Sequence, residues 1–543
     1  MSDQKQITSL ILWGAAVVSL LITPFSFDPL NVSKFALLSV VGFSILGVLV
    51  TTQGILRDVQ LRLVLQIAAL FIVIGLISLL VNRTNLIQQI FGASGRHTGF
   101  MTYLVLTVFM LGAAVVASKA FMEKAVSVLF TTGLISLSYG LIQAFNLDPL
   151  NWTNSYSPVI GFLGNPNFQS SFMAITATSV FSMILKPSIK SWLRVVHLSY
   201  ILVALFLIYK SNSQQGYLVF AVGFFVVALF WIKGKFESKS LLSIYLFLSS
   251  GVGIAVVLDI LQKAPWASIL YKESVSNRGD LWRAGWRMTT DHPVFGVGFD
   301  NYGDWYRRYR DIDAISARGV DTISNTAHNV FLDISTSGGI PLLLAYLAIL
   351  GLTIRAALKL LLRTKGFDAP LAGITGAWFA YMAQSLISIN QIGLAVWGWV
   401  FSGAIIGYEI YTRAEKHIPN RIPPNNLGTI LIGGFCGLIV GLPPLVSDLV
   451  YRNAIDSREI VRVENAAYQW PQSGDRMIQI AATFRENELF DQAIKVARDA
   501  TKFAPERYEA WLVLSSLPNL PESERIQAIA KMKELDPFNP NLK

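Results

Sequence analysis

Long apolar runs recur along this chain, and they restrict its fold more than any other feature. Thirteen runs have the roughly 17–25 apolar residues that a helix needs to cross a lipid bilayer. They lie near residues 7–25, 35–50, 63–81, 100–117, 125–145, 171–185, 195–210, 217–232, 241–261, 339–358, 370–388, 392–411 and 428–448. Only 14% of the residues are charged, against about 25% in soluble proteins. The sequence therefore predicts an all-α, polytopic membrane protein with about 12–13 transmembrane helices.

The positive charges indicate the orientation of these helices. With the N-terminus inside, the predicted cytoplasmic loops carry most of the lysines and arginines, whereas the opposite short loops hold only Arg83, Arg96 and Lys210. The net charge of +10 is thus explained by membrane topology, and we expect no nucleic-acid partner. We expect the first apolar run to be a retained helix, because it has no small-residue cleavage site.

The change in composition after the last run predicts two domains. Residues 1–448 form a transmembrane domain, in which residues 262–338 are a long polar loop, and residues 449–543 form a charged, amphipathic helical domain. An odd number of spans places both the loop and the C-terminal domain outside the cytoplasm.

The C-terminal domain has a period of 34 residues, which is the length of a tetratricopeptide repeat. The period relates Ala466 to Ala500 and Pro471 to Pro505. Stacked helix pairs of this kind usually form a concave protein-binding surface. Two interpretations stay open, a binding surface for a protein partner and a helical cap packed on the membrane domain.

The polar loop contains the best candidate for a catalytic base. His328 precedes the span near Gly339 by about ten residues, a distance of about 15 Å if helical, so its imidazole would lie near the lipid headgroups. Imidazole is the side chain best suited to accept a proton near neutral pH. The alternative is a histidine that caps a helix or faces solvent.

The same loop offers arginines that could hold an anion. Arg278 and Trp282 are four residues apart and share one helical face, and Arg283 begins a neighbouring basic stripe. Guanidinium groups bind phosphate oxygens in a bidentate manner. The alternatives are an aromatic side chain used for packing and arginines attracted to lipid headgroups.

Other motifs carry less information. Asn165 and Asn167 flank a proline and predict a turn, with a polar cavity wall as the second interpretation. Gly296-Val297-Gly298 lacks the third glycine of a dinucleotide loop and also predicts a turn. The sequence has no HExxH, CxxC or clustered carboxylate pattern, so we predict no metal site and no cofactor.

Taken in order, these segments resemble the O-antigen ligase/Wzy polymerase family of bacterial membrane glycosyltransferases. The motifs that carry the resemblance are Gly92…Arg96…Gly99, Gly164-Asn165-Pro166-Asn167, Arg278-x-x-x-Trp282, Pro293-x-x-Gly296-x-Gly298, and His328-Asn329-x-Phe331-Leu332 followed by Gly338-Gly339. The resemblance covers residues from about 92 to 339.

The resemblance implies a multi-pass protein of the bacterial inner membrane that uses an undecaprenyl-diphosphate-linked glycan as donor. It implies metal-independent, inverting transfer of that glycan to an acceptor hydroxyl outside the cytoplasm. His328 matches the family's base, and Arg278 matches the arginine that holds the diphosphate. The expected substrate-binding residues are Arg96, Lys210, Gln214, Asn165, Asn167, Trp282, Arg283 and Asn329.

One element departs from the family pattern, and the acceptor stays open. Where the family commonly has Ser-Arg-Gly, this chain has Ser213-Gln214-Gln215-Gly216, so Lys210 or Arg96 is the candidate replacement for the missing arginine. The acceptor is a lipid A core in a ligase, a growing chain in a polymerase, or a protein in an O-oligosaccharyltransferase. A glycolipid transporter or flippase is the alternative from another class, but it would need ionisable residues within the spans, which are almost free of charge. A third class is a membrane-anchored scaffold that works through residues 449–543.

Overall fold

The computed structural model describes residues 2–55, 58–82, 84–150, 152, 154, 157–236, 238–260, 273–413 and 426–542. These residues form helices joined by loops, and no extended strand occurs among them. The predicted start of the long loop, near residue 262, lies outside the described residues.

Among the described residues, ten helices precede the long loop. They are α1 Ser2–Leu20, α2 Val32–Thr51, α3 Val59–Val81, α4 Leu86–Phe91, α5 Phe100–Val116, α6 Lys119–Ala144, α7 Pro166–Ile184, α8 Ser191–Lys210, α9 Gln215–Phe236 and α10 Lys239–Ile260. A 3-10 turn at Gly161–Leu163 leads into α7.

The remaining helices form the loop, the second part of the membrane domain and the tail. The loop contains α11 Glu273–Asp291, α12 Tyr302–Tyr309 and α13 Ile312–Arg318, and the membrane part continues with α14 Val330–Arg363, α15 Ala369–Ile387, α16 Ile392–Arg413 and α17 Leu427–Ser457. The tail consists of α18 Ile460–Ala467, α19 Gly474–Glu486, α20 Phe490–Phe503, α21 Tyr508–Ser515 and α22 Glu522–Leu535, followed by a 3-10 turn at Pro540–Leu542.

Every predicted span coincides with one of these helices, namely α1–α3, α5–α10 and α14–α17. Eight helices, α2, α3, α6, α8, α9, α14, α16 and α17, are long and apolar enough to cross a membrane by length and composition. The prediction of an all-α polytopic membrane protein is therefore confirmed.

The loop and the tail lie on the same side of the helix bundle. Arg507 of the tail forms an ion pair with Asp304 of the loop, with 2.9 Å between Nη1 and Oδ1. The connection between α1 and α2 reaches the same face, where Phe27 N donates to the Asp448 carboxylate near the end of α17 (2.7 Å).

Helix α14 begins nine residues before the predicted span, at Val330, and is kinked at Gly338 and Gly339. Gly339 has φ +71° and ψ −171°, and a Cβ atom there would lie 2.5 Å from the Pro293 carbonyl oxygen. The turn at 293–298 fits into this kink, since Ile340 N donates to Pro293 O (2.8 Å) and Val297 N donates to Thr336 O (2.7 Å). The Pro293–Gly298 motif and the Gly338-Gly339 motif thus form one structural unit. The first turns of α14, before the kink, are a helical extension that sequence hydropathy did not detect.

Helices α2 and α17 approach each other closely through glycines on α17. A Cβ atom on Gly433 would lie 2.2 Å from Phe43 O, and one on Gly437 would lie 2.5 Å from Ser39 O. Small residues four apart allow two helix backbones to come together in this way. The pairing fixes the helix that leads into the tail.

The tail has an apolar core of its own. Its buried side chains include Met477, Ile480, Ala497, Ala500 and Leu514, all of which fall in the region of the predicted period. Helix α17 continues through residue 448, so the predicted boundary falls inside a helix. The division into two domains and the tetratricopeptide assignment stay predictions.

Candidate active site

His328 lies at the point where the long loop enters α14. Its backbone adopts a left-handed conformation with φ 52°, which few residues other than glycine adopt. His328 N donates to Thr326 Oγ1 (3.2 Å) on one side. On the other side Asn329 caps α14 by accepting from Phe331 N (3.0 Å), and its amide donates to Leu386 O at the end of α15 (3.0 Å). The chain on both sides of His328 is therefore held by hydrogen bonds.

Asp333, in the first turn of α14, holds the loop segment that directly precedes His328. Its carboxylate accepts from Thr326 Oγ1 (2.5 Å) and from Ala327 N (2.9 Å). The sequence pattern alone gave Asp333 no role. The available signal was its place in the first turn of a helix that enters the membrane, where an unpaired carboxylate is costly.

Arg96 comes from the loop between α4 and α5 and reaches the same place. Its guanidinium donates to the carbonyl of Asn325, three residues before His328. It also forms an ion pair with Asp300 at 3.6 Å, which partly compensates its charge. Asp300 in turn accepts from Ala93 N (2.8 Å) and Thr98 Oγ1 (2.8 Å), so one loop carboxylate fixes the whole turn that carries Arg96. The sequence did not single out Asp300.

Arg278, on α11, supplies a second positive charge. Burial lowers the pKa of Arg278, and no carboxylate among the described residues compensates its charge. The pKa of His328 is lowered to about 4, first by its burial and then by the charges of Arg278 and Arg96. The structure therefore brings His328, Arg278 and Arg96 together, although Arg96 lies 232 residues before His328 in the chain. The imidazole is neutral at physiological pH and lies beside two cations.

The other two candidates on α11 have different surroundings. Arg283 is half exposed and forms ion pairs with Asp280 and with Asp311, the latter with 2.7 Å between Nε and Oδ2. Its charge is thus already compensated. Trp282 is partly buried, and its indole N–H has no hydrogen-bond partner within the described part of the chain.

A second polar group lies at the start of α7, the end of α8 and the start of α9. It contains Asn165, Asn167, Lys210 and Gln214. Asn165 caps α7 by accepting from Asn167 N (2.8 Å), and the Asn167 side chain accepts from Ser213 Oγ (2.7 Å). Gln214 is half buried beside them, while Lys210 is exposed and lies over the Phe206 ring at 5.8 Å. The described contacts include no hydrogen bond or ion pair from these four side chains to His328, Arg278 or Arg96. Helix α15 packs on α7, α9 and α14 and so connects the two groups.

Sequence reasoning missed two buried groups in this region. Gln215, next to the expected Gln214, is buried and donates to Ser171 Oγ (2.9 Å). Lys34 of α2 is fully buried and donates to the carbonyls of Leu30 (2.8 Å) and Phe162 (2.9 Å), which ties α2 to the segment before α7. A lysine near a helix start gives little warning of such a role, because its acceptors are backbone atoms distant in sequence.

Comparison with known families adds independent support. A family model described as O-Antigen ligase matches residues 199–347. The match includes Arg278 and His328 but not the turn that carries Arg96 or the Asn165–Asn167 segment. No curated protein matches the chain. The match runs from α8 into α14 and supports a relation to the O-antigen ligase family.

Proposed function

We propose that the protein transfers a glycan from an undecaprenyl-diphosphate carrier to an acceptor hydroxyl on the extracytoplasmic face of the bacterial inner membrane. The observation that carries this proposal is the grouping of a neutral His328 with Arg278 and Arg96. A base and two cations are the groups that glycosyl transfer from a diphosphate requires. The O-antigen ligase domain supports the same class of reaction.

In the proposed reaction His328 acts as the base. It accepts the proton of the acceptor hydroxyl while that oxygen attacks the anomeric carbon of the donor sugar. The bond between the anomeric carbon and the diphosphate oxygen breaks on the opposite face, so the anomeric configuration is inverted. The electron pair of that bond leaves with the undecaprenyl diphosphate.

Arg278 and Arg96 stabilise the leaving diphosphate. Fixed guanidinium groups that face a developing negative charge lower the barrier, because they need little reorganisation during the reaction. They also supply the positive charge that a divalent cation provides in other diphosphate chemistry, so we propose that transfer is metal-independent.

Binding of the diphosphate also changes the proton affinity of His328. In the free protein the two arginines disfavour protonation of His328, which suppresses its basicity. A bound diphosphate neutralises their charge and restores the affinity of the imidazole for a proton. The base would thus become effective only when the donor is in place.

The acceptor that we propose first is a hydroxyl of a lipid-anchored core glycan, as in a ligase. Polymerase and protein O-oligosaccharyltransferase activities use the same chemistry and differ only in the acceptor. Assays with separate glycolipid, polysaccharide and protein acceptors distinguish them.

The test is transfer by the purified protein in lipid nanodiscs, with undecaprenyl-diphosphate glycan and a total envelope extract from the host. We expect His328→Ala and Arg278→Ala each to lower the rate at least 100-fold, the usual contribution of a general base or a fixed charge. Arg287→Ala is the matched control, because Arg287 lies on the same helix and pairs with Asp311 at the half-exposed surface. The control and an EDTA-treated sample should retain wild-type rates. Wild-type activity in folded His328→Ala and Arg278→Ala proteins would exclude the proposed site.

A further inference from the structure

The tail contacts the long loop through a buried charge cluster. Asp536, directly after α22, accepts from Arg310 Nη2 (2.6 Å) and from Arg307 Nη1 (3.2 Å), and both arginines belong to the α12 region of the loop. All three residues are at least 95% buried. Such burial is unusual for ionised side chains unless they are paired.

The two arginines also contact the chain segment that leads to His328. Arg307 Nη1 donates to Val320 O (2.9 Å), and Arg310 Nη1 donates to Val320 O (2.9 Å) and Thr322 O (3.0 Å). Thr322 precedes by three residues the Asn325 carbonyl that accepts from Arg96. The arginines therefore connect the tail carboxylate to the backbone that presents the imidazole.

A second contact joins the tail to the turn that carries Arg96. Arg507 Nη1 donates to Asp304 Oδ1 (2.9 Å), and the other Asp304 oxygen accepts from Gln88 Nε2 (3.2 Å). Gln88 belongs to α4, which leads directly into that turn. The tail thus contacts residues that hold the segment before His328 and residues that hold the turn with Arg96. It does not touch His328 itself.

We infer that Asp536 is a positioning residue for the proposed transfer. By neutralising Arg310 and, together with Glu509, Arg307, it allows both arginines to stay buried and to hold the backbone at 320–322. This backbone keeps His328 beside Arg278 and Arg96. The tail is then a structural part of the active site. The kinetic part of this inference rests on the proposed function, whereas the structural part does not.

The first test is the steady-state kinetics of full-length Asp536→Asn, which removes the charge and keeps the shape. Because the donor-binding charges are untouched, kcat falls at least tenfold while KM for the donor changes less than threefold. Asp536→Glu restores the charge and recovers most of the lost kcat. The matched control is Glu524→Gln, which breaks the Arg498–Glu524 ion pair elsewhere in the tail (2.8 Å) and leaves both constants unchanged.

The second test needs no activity. Amide hydrogen exchange, followed by mass spectrometry, becomes at least fivefold faster in peptides covering 318–329 of Asp536→Asn, and stays unchanged in Glu524→Gln. Wild-type kcat with unchanged exchange in Asp536→Asn overturns the inference, and so does faster exchange over the whole chain, which indicates general destabilisation. A wild-type protein that transfers nothing, with the local exchange effect intact, refutes the proposed function and retains the contact.

Discussion

Arg278 and Arg283 lie on the same helix and carry the same charge, yet their surroundings differ. Arg283 is held by Asp280 and Asp311, whereas Arg278 has no carboxylate partner among the described residues. A guanidinium that is partly buried without a counter-ion is prepared to bind an anion, because part of its desolvation has already taken place. Sequence spacing could not separate the two, since Asp311 comes from 28 residues further along the chain.

The same electrostatics predict how His328 titrates. Its pKa is about 4 in the free protein, so the imidazole should be neutral above about pH 5 and become protonated only below that. We expect Arg278→Gln to raise this pKa toward the ordinary value of about 6.5, because one repelling charge is removed. Histidine C2 hydrogen exchange measured by mass spectrometry gives the midpoint without an activity assay.

Adding undecaprenyl diphosphate should raise the His328 pKa in the wild-type protein, since the anion neutralises both arginines. The neutral alcohol undecaprenol is the control and should leave the pKa unchanged. A midpoint that stays at about 4 with the diphosphate bound would contradict the proposed coupling between leaving-group binding and the base.

At the scale of elements, the kink in α14 joins the membrane helices to the long loop. Gly339 has backbone angles that are essentially restricted to glycine, and it touches the turn at 293–298. We expect Gly339→Ala to destabilise the protein by about 2–4 kcal/mol, because backbone strain and a clash with Pro293 add together. Thermal unfolding in detergent measures the effect.

The control for that substitution is available on the same helix. Gly351 has open space around it, so Gly351→Ala should be neutral or stabilising by up to about 1 kcal/mol. Equal losses of stability at both positions would show that the kink is not the cause.

The helices themselves could be predicted from hydropathy, because a membrane span is a local property of about twenty residues. The first turns of α14 could not. They mix apolar residues with Asp333 and three hydroxyl residues, and they are helical because Asn329 caps them and because Asp333 binds the preceding loop. The role of the Pro293–Gly298 motif was equally hidden, since it depends on a groove formed by residues about forty positions later.

At the scale of the whole molecule, the contact between α2 and α17 sets where the tail enters. A side chain on Gly437 would collide with the α2 backbone at Ser39. We expect Gly437→Leu to lower stability by about 3 kcal/mol through overpacking. It should also speed amide exchange in the tail residues that meet the loop. Gly428→Leu, on the same helix with no atom nearby, is the control and should change neither measurement.

Charge distribution predicted that the loop and the tail share one side, and the structure brings them into direct contact. It could not predict that the tail supports the loop, because the residues involved are far apart in sequence and look like ordinary surface charges. Arg307, Arg310 and Asp536 acquire their importance only through burial, which depends on the complete fold.

The ion pair between Arg310 and Asp536 has a consequence in time. Their positions differ by 226 residues, and helices α14 to α17 lie between them. At roughly 5–20 residues per second, a ribosome needs on the order of 10–45 seconds to make that stretch. Throughout this interval Arg307 and Arg310 lack the tail carboxylate that pairs with them in the folded protein. The contact that supports the backbone before His328 therefore forms only after α17 and the tail have been made, so the candidate site is complete only late in synthesis.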